Sequence, residues 1–282
     1  MQLSRRKFLK AFGQVALGYG LAAVGGYEYS ARIETTWLQV ERVTVPLKGL
    51  RSGLEGFKIV HLSDIHLHPF IQIDLVREAV DIANGLQPDL VVLTGDYVLE
   101  RAGSIFELAP ALARLNARYG VFAALGNHDL WTDASLVQAG LVEAGLPVLR
   151  NSGLALGVGQ EQLYLAGLDD AWSGRPDLPA ALAGLPPDAP AILLVHEPDF
   201  ADEFSRDGRV ALQLSGHSHG GQVRLPLIGA PVLPMYGRKY DMGLYRVNNM
   251  WLYTNRGLGM VGPPLRFNCR PEITELTLVG AA

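Results

Sequence analysis

Five short groups of polar residues could together form a metal site. Each group follows an apolar run that predicts a β-strand. The groups are Asp64-Ile65-His66, Gly95-Asp96, Gly126-Asn127-His128-Asp129, His196 and Gly216-His217-Ser218-His219. Ligands of α/β sheets bind in the crevice beyond the carboxyl ends of the strands, so all five groups could converge on one crevice.

Seven side chains in these groups are suitable metal ligands. They are two carboxylates, four imidazoles and one amide: Asp64, Asp96, His66, His196, His217, His219 and Asn127. Four ligands suffice for a tetrahedral zinc ion, so seven fit two first-row cations that share a bridging carboxylate. None of the seven is a thiolate, which disfavours a site for soft metals.

Taken singly, each group has an ordinary structural explanation. Gly95-Asp96 is a common turn, and His196 alone could be a hydrogen-bonded core histidine. The ordered set on successive predicted strands is uncommon by chance. We therefore favour the interpretation as a metal site.

The elements that carry these groups alternate between strands and helices in the first half of the chain. Apolar runs predict strands at 38–45, 57–62, 90–93 and 121–125. Helical periodicity predicts helices at 75–86, 104–118 and 134–144. This order predicts a parallel sheet.

The second half has fewer predicted helices between its strands. These strands are predicted at 163–166, 191–195, 210–214, 244–248, 251–254 and 272–278. The segment 173–189, rich in Pro, Gly and Ala, is predicted to be a surface excursion. Both halves together predict an α/β fold in which two mixed β-sheets pack as a sandwich with flanking helices.

Composition is that of an ordinary globular protein. The chain has 282 residues, of which 49% are hydrophobic and 18% charged, so it can bury a sizeable core. Its net charge of −4 argues against a nucleic-acid partner. The single cysteine, Cys269, excludes an intrachain disulfide and a cysteine-rich zinc site.

The sequence predicts a signal or a membrane anchor over residues 1–35 and a globular domain over residues 36–282. The run Ser4-Arg5-Arg6-Lys7-Phe8-Leu9-Lys10 resembles the twin-arginine consensus. That resemblance implies export of the folded protein by the twin-arginine translocase to the periplasm or the extracytoplasmic face of the membrane. The uncharged stretch from Ala11 to Gly26 is shorter than the roughly 20 residues that span a bilayer. Cleavage of the signal and retention as an anchor therefore both stay open.

The order D-x-H, G-D, G-N-H-D, H and G-H-x-H over residues 64–219 resembles the calcineurin-like metallophosphoesterase superfamily. Three further segments resemble its exported or membrane-bound bacterial phosphodiesterase branch: Gly220-Gly221-Gln222, Arg256-Gly257-Leu258-Gly259 and Arg270-Pro271-Glu272-Ile273. The resemblance implies a four-layer fold, in which two mixed sheets pack face to face with helices outside.

The resemblance also implies the roles of the site residues. Asp64, His66 and His219 are implied to bind a first metal. Asn127, His196 and His217 are implied to bind a second metal, and Asp96 is implied to bind both. His128 is implied to be a catalytic histidine that faces the substrate and binds no metal. Asp129 is implied to support its turn.

One departure from the superfamily disfavours a protein phosphatase. Its protein Ser/Thr phosphatases carry G-D-x-x-D-R, whereas here Gly95-Asp96-Tyr97-Val98 is followed by Leu99-Glu100-Arg101. The supporting aspartate is therefore missing at position 99.

The expected function is that of a phosphodiesterase with two divalent metal ions. A metal-activated water would attack phosphorus, and His128 would protonate the leaving group. Mn²⁺ is favoured because folding before export lets the cytoplasm select the metal, although Fe and Zn²⁺ also suit the ligands. The expected substrate is an envelope or lipid-linked phosphoester.

Two alternative functions stay open at this point. One is a phosphomonoesterase or pyrophosphatase that acts on nucleotide or lipid-linked substrates. The other is a non-catalytic scaffold that binds metal.

Overall fold

The computed structural model describes residues 5–281, and eleven strands in this range form two sheets. The first sheet contains β1 (Gln39–Leu47), β2 (Lys58–Leu62), β3 (Leu90–Leu93), β4 (Val121–Ala123) and β11 (Glu272–Gly280). The second sheet contains β5 (Ser152–Val158), β6 (Glu161–Gly167), β7 (Ala191–Leu194), β8 (Val210–Ser215), β9 (Gly243–Val247) and β10 (Met250–Thr254).

The α-helices of the same range differ widely in length. They are α1 (Arg5–Glu28), α2 (Ile73–Gly85), α3 (Ile105–Leu112), α4 (Asn127–Glu143), α5 (Leu178–Ala181) and α6 (Ala201–Phe204). Helix α4 is interrupted at Asp133, whose backbone is extended, with φ −164° and ψ 94°.

Both sheets are mixed, and each has a parallel centre. The strand orders are β1-β11-β2-β3-β4 and β5-β6-β7-β8-β10-β9. Strands β2, β3 and β4 run parallel in the first sheet, as do β6, β7, β8 and β10 in the second. Within each sheet, the loops that follow these parallel strands therefore leave from one edge.

Strand β3 shows how the layers are packed. Leu90 and Val92 belong to the apolar core between the two sheets, whereas Val91 and Leu93 belong to the core under α2 and α3. Alternate side chains of a strand point to opposite faces, so a fully apolar run is buried on both. A third core covers the outer face of the second sheet with α5 and α6. The predicted sandwich with flanking helices is thus confirmed.

The element boundaries differ from prediction where polar residues begin or end an element. The predicted helix at 134–144 is present as the part of α4 that follows the interruption at Asp133. The part that begins at Asn127 was not predicted, because its polar side chains hide the helical period. Strand β5 was not predicted, since it is a partly exposed edge strand that contains two glycines. Helix α3 ends at Leu112, six residues before the predicted end at 118.

The chain joins the body through residues 29–36, which follow α1. Ser30, Glu34 and Thr35 are buried there. The Ser30 carbonyl accepts a hydrogen bond from the backbone N–H of Arg266, and Glu34 accepts one from that of Cys269. In residues 5–281 we find no helix that combines the length and the apolar character needed to cross a bilayer. The boundary between residues 35 and 36 stays a prediction.

The core between the sheets predicts the effect of a truncation. Leu212 is fully buried in it, so Leu212→Ala removes apolar contacts and leaves a cavity. We expect the free energy of unfolding to fall by about 2–5 kcal/mol, as urea denaturation would measure. The control Val142→Ala, at a side chain that is 55% exposed, should change it by less than about 0.5 kcal/mol. Equal effects of the two changes would contradict this account of the core.

Candidate metal centre

The five polar groups meet at one end of the sandwich. They follow β2, β3 and β4 of the first sheet and β7 and β8 of the second, each at its carboxyl end. The seven predicted ligands are all buried, with at most 5% of any residue exposed: Asp64, His66, Asp96, Asn127, His196, His217 and His219. Such a concentration of polar groups needs compensation by hydrogen bonds or cations.

Asp64, His66 and His219 form one set of donor atoms, all within 4.8 Å of one another. The Nε2 atoms of His66 and His219 are 3.1 Å apart. Asp64 Oδ1 lies 3.4 Å from His219 Nε2 and 3.9 Å from His66 Nε2. These three residues could hold one cation.

Asp96, His196 and His217 form a second set with the same limit of 4.8 Å. Asp96 Oδ2 lies 3.1 Å from His196 Nε2 and 3.4 Å from His66 Nε2. This oxygen therefore lies between the two sets. The other oxygen, Asp96 Oδ1, accepts the backbone N–H of His128 at 2.8 Å.

Backbone groups orient the imidazoles of the second set. His196 Nδ1 donates to the Thr94 carbonyl at 2.7 Å, which leaves Nε2 as the free ring nitrogen. His217 Nε2 donates to the Met235 carbonyl at 2.7 Å, which leaves Nδ1. A carbonyl partner of this kind fixes both the tautomer and the direction of a metal-binding histidine.

The loops adopt a backbone conformation that non-glycine residues usually avoid. Five predicted ligands have positive φ angles: Asp64 (49°), His66 (48°), Asp96 (57°), His217 (69°) and His219 (52°). Such conformations persist only where the surroundings impose them, and they cluster at functional sites.

Backbone bonds between loops impose these conformations. The N–H groups of Asp64 and His66 donate to the carbonyls of Gly95 and Asp96. The carboxylate of Asp64 accepts the N–H of His217. A side chain at Gly216 would overlap Ser63 and Asp64, so this close approach of two loops requires glycine.

Asp129 binds the loop that carries Asp96. Its Oδ2 accepts the N–H groups of Asp96 and Gly126, each at 2.9 Å, and its Oδ1 accepts that of Tyr97 at 2.9 Å. Asp129 is fully buried. It supports the turn as the sequence suggested, and it does so through main-chain donors.

The cluster holds neutral and charged groups side by side. Burial by itself would lower the pKa of His196, but the carboxylates of Asp96 and Asp64 hold that pKa well above its usual value. Burial lowers the pKa of His66 to about 3 and that of His217 to about 4, and it holds the pKa of His219 well below its usual value. These imidazoles are therefore neutral at pH 7, which is the form that binds metals. Burial by itself would raise the pKa of Asp96, but the neighbouring His196 and His66 hold that pKa well below its usual range. Asp96 is thus ionised.

The residues present fit a metal, as their unpaired atoms show. Within residues 5–281, Asn127 Oδ1 is buried and receives no hydrogen bond. His196 Nε2 is buried close to Asp96 without a hydrogen bond of good geometry. Buried polar atoms without partners are rare and call for an explanation, of which a bound ion is one. Nitrogen and oxygen donors in this number suit divalent first-row cations.

His128 adjoins both sets at the first turn of α4. Its ring packs edge-on against His66 with centroids 4.7 Å apart, and its Nδ1 lies 3.3 Å from the Leu99 carbonyl. One ring nitrogen lies within 4.8 Å of donor atoms of His66 and Asp96. The residue is half-buried and lines the adjoining cavity.

The other histidines lie outside the cluster. His61 is buried within β2, where its Nε2 lies 2.8 Å from Thr94 Oγ1 and burial lowers its pKa to about 3. His68 is partly exposed and lies 2.8 Å from Glu107. Both serve local structure.

Two arginines near the site, Arg256 and Arg266, are engaged with other groups of the protein. Arg256 pairs with Glu272 at 2.6 Å and with Glu41 at 2.5 Å. Arg266 is fully buried and donates to backbone carbonyls, including that of Gly257 at 3.0 Å. Its positive charge therefore holds the loop beside Asp64 in place.

Sequence reasoning missed two tryptophans beside the site. Trp131 and Trp172 line a cavity of about 510 Å³ that opens on His128, Asp96 and Asn127. Trp131 lies one helical turn after His128 on α4, and this spacing could have indicated it. Trp172 lies in an irregular loop for which the sequence holds no signal.

Comparisons with known proteins agree with this arrangement. A family model described as calcineurin-like phosphoesterase matches residues 57–221. The chain is 39% identical to the uncharacterized metallophosphoesterase YkuE of Bacillus subtilis, with 98% of each chain covered. It is 34% identical to the phosphodiesterase YaeI of Escherichia coli, with 98% of this chain and 100% of the relative covered.

A solved structure shares the fold at low identity. The sulfate thiohydrolase SoxB, from a Thermus thermophilus structure with glycerol, matches with a TM-score of 0.51 and 12% identity. The match covers 72% of this chain and 52% of that chain.

The contacts of Asp129 predict that its removal disturbs the centre without touching a ligand. Asp129→Ala leaves three buried N–H groups without an acceptor, so we expect a lower melting temperature and metal affinity reduced about 10–100-fold. Calorimetry and metal titration would measure both. Glu143→Ala, an exposed change on the same helix, is the control and should alter neither. Unchanged metal affinity in Asp129→Ala would contradict the positioning role.

Proposed function

The chain belongs to the calcineurin-like phosphoesterase family, and we propose that this phosphoester hydrolase is a phosphodiesterase that uses two divalent cations. One observation carries the proposal: Asp96 Oδ2 lies 3.4 Å from His66 Nε2 and 3.1 Å from His196 Nε2, between two buried sets of donors. A carboxylate in this position suits a bridge between two cations, as in other two-metal hydrolases.

In this proposal the seven ligands divide as the sequence suggests. Asp64, His66 and His219 bind one cation. Asn127, His196 and His217 bind the other, and Asp96 binds both. When bound, the cations supply the positive charge that activates a water and offsets charge on the phosphoryl oxygens. Mn²⁺ is our preferred cation, and Fe or Zn²⁺ also suit these donors. The one thiol, Cys269 Sγ, is buried and bonds the His219 carbonyl at 3.3 Å, so it takes no part.

His128 is proposed as the acid that protonates the leaving-group oxygen. A carbonyl can only accept, so Nδ1 donates to Leu99 and Nε2 stays free to carry a second proton. Proton transfer to a leaving group is a role that imidazole side chains often fill in enzymes. The packing against Trp131, with ring centroids 4.8 Å apart, keeps the ring in place at the cavity wall.

The lining of the cavity favours a diester over a monoester. Among the described residues that line it, none is a lysine or an arginine. A phosphomonoester carries close to two negative charges at pH 7, whereas a diester carries one. A cavity without lysine or arginine suits a diester, which carries the smaller negative charge. The printed name of the Escherichia coli relative, a phosphodiesterase, supports the same choice.

Export by the twin-arginine translocase also remains our proposal. It rests on the run from Ser4 to Lys10 and places the enzyme at the extracytoplasmic face of the membrane or in the periplasm. Residue 4 lies outside the described residues, and α1 begins at Arg5. Substrates would then be phosphoesters of the envelope.

Metal analysis with two chromogenic esters tests the phosphodiesterase. Protein purified without chelator should hold about two metal ions per chain and hydrolyse bis(p-nitrophenyl) phosphate faster than p-nitrophenyl phosphate. A chelator should abolish turnover, because the cations activate the nucleophile, and Mn²⁺ should restore it. Absence of metal after incubation with Mn²⁺ would refute the metal centre, and faster turnover of the monoester would refute the diester preference.

Two single substitutions distinguish the proposed role of His128 as the acid from that of Asp96 as the bridging ligand. His128→Ala should keep both metals yet lower kcat about 10²–10⁴-fold, because it removes a proton donor. Asp96→Asn should lose metal as well as turnover, because it removes the shared charge. Full activity of His128→Ala, or loss of its metal, would contradict the role as acid; two tightly held metals in Asp96→Asn would contradict the bridge.

A further inference from the structure

The cavity beside the metal centre is lined by both polar and apolar side chains. Four of the seven proposed ligands line it together with His128, and we call this part the polar end: Asp96, Asn127, His217 and His219. The other end is lined by Val223, Val232, Leu233, Val261 and Pro263. Its volume of about 510 Å³ is typical of sites that bind small molecules. A phosphoester at the polar end would therefore place one of its two substituents against apolar side chains.

Two uncharged segments form the apolar walls. Residues 225–237 read LPLIGAPVLPMYG and residues 257–265 read GLGMVGPPL, with no Asp, Glu, Lys or Arg in either. Gln222 ties the second segment to the loop that precedes the first, because its amide donates to the Val261 carbonyl and accepts the Val261 N–H at 2.7 Å. Hydrogen bonds within the protein thus hold the second segment in place beside the loop.

An exposed apolar turn lies next to the cavity-lining residues in sequence. Residues 225–229 form a turn, in which Leu225 and Gly229 exchange two backbone hydrogen bonds of 2.9 Å. Leu227 at this turn is fully exposed, and Ile228 is 73% exposed. The turn is flanked by the cavity residues Val223 and Pro231. The exposed aliphatic side chains of this turn therefore lie, in sequence, between two residues of the cavity lining.

Three polar side chains that line the cavity are already hydrogen-bonded within the protein, which disfavours a nucleobase: Gln222, Ser218 and Trp131. The Gln222 amide bonds residues of the wall. Ser218 Oγ donates to the Asp241 carbonyl and accepts the Gly220 N–H. The indole N–H of Trp131 donates to Ser173. A base whose polar edge found no partner would lose more than its stacking gained.

We propose that the apolar end of the cavity is a subsite for the alkyl chain of a lipid-like phosphodiester. This inference rests on the proposed phosphodiesterase and names its substrate class. The chain would lie between the segments 225–237 and 257–265, with the phosphodiester at the polar end. Burial of one methylene group favours binding about fourfold, so chain length has a measurable effect.

A series of substrates with one leaving group tests the subsite. Ethyl and dodecyl p-nitrophenyl phosphate, both below the concentration at which they aggregate, carry the same charge and the same reporter. With Mn²⁺ present, we expect kcat/KM to be at least tenfold higher for the dodecyl ester. The p-nitrophenyl ester of thymidine 5′-phosphate is the nucleoside comparison and should resemble the ethyl ester.

Variants at two cavity valines, with a valine outside the cavity as the matched control, test which side chains form the subsite. The double change Val232→Asn with Val261→Asn should remove the preference for dodecyl. A melting temperature and a metal content equal to those of the unchanged protein would show that the variant is folded. Val142→Asn, at a similarly exposed valine outside the cavity, should keep the preference.

The outcomes separate the two proposals. Turnover of bis(p-nitrophenyl) phosphate with equal kcat/KM for ethyl and dodecyl esters would overturn the subsite alone. A preference for the thymidine ester, or an unchanged dodecyl preference in the double variant, would also overturn it. Failure to hydrolyse any of the diesters would overturn the phosphodiesterase and the subsite with it.

Discussion

The structure depends on the burial of Asp96 between imidazoles from both sheets. Its carboxylate lies 3.4 Å from His66 on the first sheet's side and 3.1 Å from His196 on the second's. A buried carboxylate is costly unless hydrogen bonds and positive charge surround it. The N–H of His128 supplies one such bond, and the proposed cations supply the charge. The two sheets must therefore meet at this end in a fixed relation.

The apolar layers make that relation possible. Leu90 and Val92 pack between the sheets while Val91 and Leu93 pack under the helices, so β3 is fixed on both faces. Asp96 follows it by three residues, in a left-handed conformation with φ 57°. Packing of this kind offsets the strain of such loops because the strand ends cannot shift. The geometry of the site therefore depends on the stability of the core.

The same end of the molecule combines strongly polar and apolar surfaces. The ligands occupy the strand ends, whereas the walls of the cavity come from loops late in the chain. Hydrogen bonds link the two parts. The Met235 carbonyl, in the uncharged segment 225–237, accepts one from His217 Nε2, and the Gly259 N–H, in the segment 257–265, donates to the Asp64 carbonyl. A change in the segment 225–237 can therefore affect both the proposed substrate subsite and the orientation of a proposed ligand.

The sequence by itself determined every strand except β5, the sandwich and the residues that gather at its end, since apolar alternation and short polar groups are local signals. It did not determine where α4 begins, because the polar turn from Asn127 to Asp129 hides the helical period. Only the tertiary structure decided which nitrogen each histidine presents, since carbonyls distant in sequence, such as Met235 for His217, fix the tautomers. It alone placed Trp172 and the uncharged loops around one cavity, because contacts between distant segments depend on packing and not on local pattern.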